Sequence, residues 1–267
     1  IFQPGSGYAV GPSRANPFTG ELYDADIRIS ADFVRGFYSA YTEFVAPLIG
    51  PVSMNFETVD IDEEKKSDAC YYGQQLREEM GFAWDLMIAT GKIKGSNIEL
   101  NNYIHNGLMD LVLHEVGHTL GLRHNFKGSS IYSIEQLSNP EFTRKNGISG
   151  SVMDYQPINV FNEETFFQTQ PGVYDTWAIE YAYKEFYKSG SNEKDLLNSI
   201  ASRSTEPLLR YGTDEDTYGL STRGIDPQSN AWDLTDDPIR YYQKLFDMTD
   251  ELWSSLSTYF EIDGEQY

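Results

Sequence analysis

The sequence predicts an α+β fold: a mixed sheet with helices first, a largely helical C-terminal half, and between them one helix that carries a metal-binding motif. Three observations predict it. Ile27 and Ile29 alternate with Asp26, Arg28 and Ser30, the period of two that marks a half-buried strand. Apolar residues recur at helical spacing in residues 31–45, 71–89, 174–187 and 239–260. Finally, His114-Glu115-Val116-Gly117-His118 makes chemical sense only on a helix, where residues four apart share a face one turn up.

In chain order, the first twenty residues are rich in glycine, proline, serine and asparagine and read as a loop, with a turn at Asn16-Pro17-Phe18-Thr19-Gly20. The strand at 26–30 follows and is expected at a sheet edge. Ser30 caps the helix at 31–45, whose stripe is Phe33, Val34, Phe37, Tyr38, Tyr41 and Phe44 and which ends before Pro47. Residues 52–59 are a weaker strand, residues 60–68 a charged, solvated turn, and residues 71–89 a second helix. The motif helix starts between Asn97 and Gly107. Met109, Val112, Leu113, Val116 and Leu120 fall in one stripe at 100° per residue, so this face is expected to be buried and the histidine face to be open, with Leu111 packed beside the site. Residues 125–150 read mostly as loop, with a short helix at 131–137. Asp237-Pro238 reads as a cap followed by proline in the first turn of the last helix.

Composition excludes several classes. The chain has 267 residues, enough for one domain or two subdomains, and its 41 acidic against 20 basic residues give a net charge of −21. That charge argues against nucleic acid or an anionic membrane surface as partner. No uninterrupted apolar run approaches the length of a membrane span, and even 82–89 is short and contains Asp85, so no span is expected. The opening at Ile1, without methionine, basic region or apolar core, reads as that of a processed or trimmed chain. One cysteine, Cys70, rules out an internal disulfide framework and reads as a buried free thiol; a latching thiolate over a metal finds no support around it. The acidic stretch 205–237 offers Asp214, Glu215, Asp216, Asp226 and Asp233 as oxygen ligands for Ca2+. Their spacing matches no EF-hand, and a solvated loop is the plainer reading.

The motif itself carries the chemistry. His114 and His118 supply two imidazoles from one helix, and His124 a third six residues on. A continuing helix would carry His124 to the wrong side; Gly121, adopting positive φ, ends the helix and turns the chain back. Three neutral imidazoles suit Zn2+ and leave a fourth position for water. Glu115 projects about 100° round the helix from His114, towards that water rather than the metal, and is the natural general base. A bare His-Glu-x-x-His also arises on ordinary amphipathic helices. The added Gly121 and His124 make coincidence a poor explanation.

The eleven residues from His114 to His124 resemble the signature of the metzincins, a clan of zinc metallopeptidases, and Ser151-Val152-Met153-Asp154-Tyr155 resembles the clan's methionine turn. Residues 123–129, the turn and residues 174–181 are similar to a bacterial family of large extracellular or periplasmic proteins with a Met-zincin domain; Asn16-Pro17-Phe18-Thr19-Gly20-Glu21 also resembles it. The resemblance implies a zincin-like metallopeptidase fold, with an upper subdomain at 1–122 containing the active-site helix and a lower, largely helical one at 123–267. It implies zinc-dependent cleavage of a protein or peptide substrate outside the cytoplasm. Met153 would support the site, Tyr155 would ligate zinc or steady the oxyanion, residues 24–30 would bind extended substrate and residues 156–161 would line the primary specificity pocket. It also implies strands and a helix ahead of the active-site helix, some of them expected upstream of Ile1. Two other functions fit the same residues: an inactive zinc-stabilised binding or surface-assembly module, against which the intact Glu115 argues, and a zinc hydrolase acting on non-peptide amides.

Overall fold

The computed structural model describes residues 2–3, 9–30, 72–91, 97–186, 192–219 and 226–259. The helix expected at 31–45, the strand at 52–59, the turn at 60–68 and Cys70 lie outside the described residues. The described chain has mixed architecture, with five short strands and eight α-helices. By its internal packing it divides into two compact units, residues 1–115 with 242–267, and residues 116–241.

In the first unit the opening residues are not all loop. Strands β1 (Phe2–Gln3) and β2 (Ala9–Val10) flank β5 (Arg28–Ser30), β1 parallel and β2 antiparallel to it. The strand at 28–30 is therefore central, not an edge, and it offers no free side for a substrate strand to join. Its alternation was legible because Ile29 is buried; composition hid the partners, which are two residues long. Strands β3 (Ser13–Ala15) and β4 (Leu22–Ala25) form a separate antiparallel hairpin across the expected turn. Asn16 closes that turn: its carbonyl accepts Gly20 N–H at 2.8 Å and its side chain accepts Phe18 N–H at 2.9 Å.

Helix α1 (Tyr72–Ala89) buries Tyr72, Leu76, Met80, Ala83, Trp84 and Met87, the i, i+4, i+8 stripe that its sequence predicted. It packs antiparallel to the motif helix α2 (Asn97–Thr119). Near one end of the pair Tyr103 Oη donates to the Met80 carbonyl at 3.1 Å and its ring meets Trp84 at 5.2 Å; near the other, Tyr72 Oη donates to Asp110 Oδ1 at 3.1 Å.

The buried face of α2 is opposite to the expected one. Met109, in the expected stripe, is 38 % exposed, while Leu111, expected to be covered beside the site, is 1 % exposed. Leu100, Tyr103, Ile104, Asp110, Leu111 and His114 form the buried face. The helix has two apolar stripes, so periodicity alone cannot say which is covered; the large side chains of α1, Tyr72 above all, decide it.

The second unit is loop-rich and is held by polar side chains that replace the missing ladders. After a 3-10 turn at Ser129–Ile131 come α3 (Ile134–Leu137) and α4 (Pro140–Asn146), the latter set by an Asn139 cap and proline at its start, within a stretch whose composition suggests mostly loop. Helices α5 (Val173–Tyr183), α6 (Glu193–Ala201) and α7 (Asp214–Thr217) follow. Helix α8 (Pro238–Tyr259), which from Tyr242 onward belongs to the first unit, opens at the expected cap, Asp237 Oδ1 accepting Arg240 N–H at 3.0 Å. Among the described residues no helix is long and apolar enough to cross a membrane.

Asp175, at the start of α5, shows how the loops are fixed. Its buried carboxylate accepts Gly172 N–H at 2.7 Å, Val152 N–H at 2.8 Å and Ser151 Oγ–H at 2.6 Å, tying the helix start to the turn that precedes Met153. Burial raises its pKa, and the three hydrogen bonds work against that rise. Asp175→Ala strands these donors in the interior. The expected loss is about 2–4 kcal/mol of unfolding free energy in urea denaturation.

Candidate metal centre

His114 and His118 stand one turn apart on α2, and both are positioned by it. The His114 ring is fully buried and lies 4.8 Å from the Tyr72 ring. The helix stops as predicted. Gly121 adopts φ +87°, its N–H reaching the His118 carbonyl at 2.9 Å while Leu122 N–H reaches that of Gly117 at 3.0 Å, the paired bonds of a Schellman stop. The chain then turns back and brings His124 to within 4.8 Å of His118, ring to ring.

One nitrogen from each of His114, His118 and His124 lies within 4.8 Å of the others. This is the one such group of metal-binding side chains among the described residues. The donor chemistry fits zinc. His118 Nδ1 lies 3.1 Å from the Leu122 carbonyl and His124 Nδ1 lies 2.9 Å from Asp214 Oδ1. Both partners are acceptors, so each Nδ1 carries its hydrogen and each Nε2 is left with the lone pair a metal needs. Burial, with His124 alongside, pushes the His118 pKa down to about 4, so this ring is neutral near pH 7. The fourth histidine, His105, is exposed on α2 and belongs to no such group.

Glu115 is fully buried. Gly11 lies against it: a Cβ there would come within 2.5 Å of the Glu115 carbonyl oxygen and 3.2 Å of Oε2. Met153 is also fully buried, in a turn at residues 152–153, and its carbonyl accepts Asn125 N–H at 2.9 Å, one residue beyond His124. The sulfur of Met153 occupies the space that a side chain at Gly117 would take, so the absence of a Cβ there lets methionine and helix meet. Tyr155 is nearly buried, with its ring 4.7 Å from His124, 5.1 Å from Phe126 and 5.8 Å from Trp232. Trp232 holds a left-handed backbone at φ +67° and donates its N–H to the Tyr155 carbonyl at 2.7 Å.

The acidic residues offered as calcium ligands do not gather. Asp214 goes to His124, Glu215 to Arg123 at 2.7 Å, Asp226 to Lys127 at 2.6 Å and Asp233 to Ser129 Oγ at 2.8 Å, while Asp216 accepts Thr213 N–H at 3.0 Å. Each carboxylate has found a separate donor, which composition alone could not foretell. Asp214, Phe126, Tyr72 and Trp232 were absent from the sequence-based site. Three of them lie far from the motif along the chain, and no local spacing marks them.

A three-histidine centre on a helix–stop–return frame, with His114 buried and His118 and His124 part-exposed, in a mixed α and β architecture, is that of a zinc metallopeptidase in general terms. The chain belongs to the Met-zincin family, whose match runs over residues 97–267, more than half its length. No curated protein and no solved structure matches it.

Proposed function

We propose that the protein is a zinc-dependent endopeptidase that hydrolyses peptide bonds with Glu115 as general base. The observation that carries this reading is the gathering of one nitrogen from each of His114, His118 and His124 within 4.8 Å. Zinc, when bound, supplies a Lewis acid that polarises the scissile carbonyl and lowers the pKa of water from about 15.7 towards about 7. His114, His118 and His124 would hold the ion through one nitrogen each. Glu115, next to the first ligand on the helix, takes a proton from the attacking water and returns it to the leaving amine. Its burial supports that role, because a carboxylate kept from bulk water exchanges its proton with the bound reactants.

Tyr155 packs against the third ligand and donates its phenolic hydrogen to the oxyanion that forms on the substrate. Met153 forms the floor, filling the gap opposite Gly117. Residues 156–161 run on from Tyr155 without helix or strand and would line the primary specificity pocket. An extracellular or periplasmic location belongs to the same proposal and rests on the family resemblance. An inactive zinc-stabilised module would have no use for a carboxylate buried beside the first ligand.

Digestion of a peptide library with the wild-type protein and with Tyr155→Phe tests this reading. Cleavage with a consistent residue preference is expected from the wild type, and turnover lower by about tenfold or more from the variant, with zinc content kept. Intact libraries after incubation with zinc-loaded protein would count against a peptidase; equal rates would return Tyr155 to a packing role.

A further inference from the structure

Of the three ligands, His124 is the one that no helix positions. It lies in residues 122–125, which have no regular structure, beyond the stop at Gly121, so something else must fix its ring. The ring packs against both Phe126 at 5.2 Å and Tyr155 at 4.7 Å, which restrains its plane but does not choose which nitrogen points to the metal. The choice falls to Asp214, whose Oδ1 lies 2.9 Å from Nδ1.

Asp214 is itself held in place. Thr213 Oγ1 donates to its Oδ2 at 3.2 Å, and the guanidinium of Arg123 stands 3.9 Å from the same oxygen. Arg123 also makes a two-oxygen contact with Glu215, Nη2 at 2.8 and 2.7 Å from Oε1 and Oε2. Two consecutive residues of the returning segment, Arg123 and His124, thus face two consecutive acids, Glu215 and Asp214. This pairing sets the register of one segment on the other. A slip by one residue would put the guanidinium where the imidazole belongs.

We infer that Asp214 is a positioning residue for the metal centre: it accepts the Nδ1 hydrogen of His124, holds the ring so that Nε2 faces the other two imidazoles, and is kept in register by the Arg123–Glu215 pair. The inference rests on the zinc reading above and deepens it. Carboxylates that orient ligating histidines in this way commonly contribute about 10- to 100-fold to metal affinity.

The test measures zinc affinity of the whole chain by competition with a chromophoric chelator, and the visible spectrum of the Co2+-loaded protein. Asp214→Ala is expected to bind zinc about 10- to 100-fold more weakly and to give a shifted Co2+ spectrum, whereas Asp214→Asn, which keeps an oxygen acceptor, stays within about threefold of wild type. Melting of the metal-free proteins separates this from a packing role, which would lower stability and leave affinity alone. If the alanine variant does not fold, Asp214→Glu, with its carboxylate displaced by one methylene, serves instead, and weakened binding with a shifted spectrum is expected. Wild-type affinity and spectrum in Asp214→Ala or Asp214→Glu overturn the inference, as does an Asn variant no better than Ala. A wild-type protein that takes up no zinc overturns the zinc reading instead.

Discussion

His124→Ala loses its zinc: metal analysis after dialysis is expected to fall from about one ion per chain in the wild type to near zero, with affinity down by at least about a hundredfold. The expectation follows from how the three ligands are built. Helix α2 carries His114 and His118 and survives the substitution, but two imidazoles from one face leave half of a tetrahedron to water. The return of the chain does not depend on the imidazole, since Gly121 makes the turn and Asn125 N–H still reaches the Met153 carbonyl. The variant should therefore fold and fail to hold metal. His105→Ala, at the exposed fourth histidine, is the matched control and should retain full zinc.

Glu115→Gln gives the opposite pattern. Zinc content stays at about one per chain, because the carboxylate is not among the grouped ligands, while cleavage of an unfolded protein falls by about 10²- to 10⁴-fold. Glutamine keeps the volume of a fully buried side chain and removes only its capacity to accept and return a proton. Because glutamine nearly matches glutamate in shape, the comparison isolates chemistry from packing. A variant that cleaves as fast as wild type would remove Glu115 from the role of base.

Much of the centre was legible in the sequence because it is local. Helical spacing put His114 and His118 on one face, and Gly121 announced the stop; the structure has both, with φ +87° at the glycine. The last helix was announced by Asp237-Pro238, and α1 by its stripe. What could not be read is set by partners distant in sequence. The motif helix is apolar on two sides, and only its packing on Tyr72, Met80 and Trp84 shows that the histidine side is the buried one. Asp214 lies 90 residues from the ring it holds, in a stretch whose charge suggested solvent or calcium. The strand at 28–30 was recognised by alternation but misplaced at an edge, because alternation reports burial of one face and says nothing of neighbours on either side.

A titration of metal-stripped protein with zinc tests most directly the link between the zinc centre and peptide hydrolysis. Cleavage of an unfolded protein substrate should be absent without metal, rise with added zinc and level off at about one equivalent per chain. Cleavage that persists in the stripped protein, or zinc taken up at one equivalent with no cleavage at all, would contradict it.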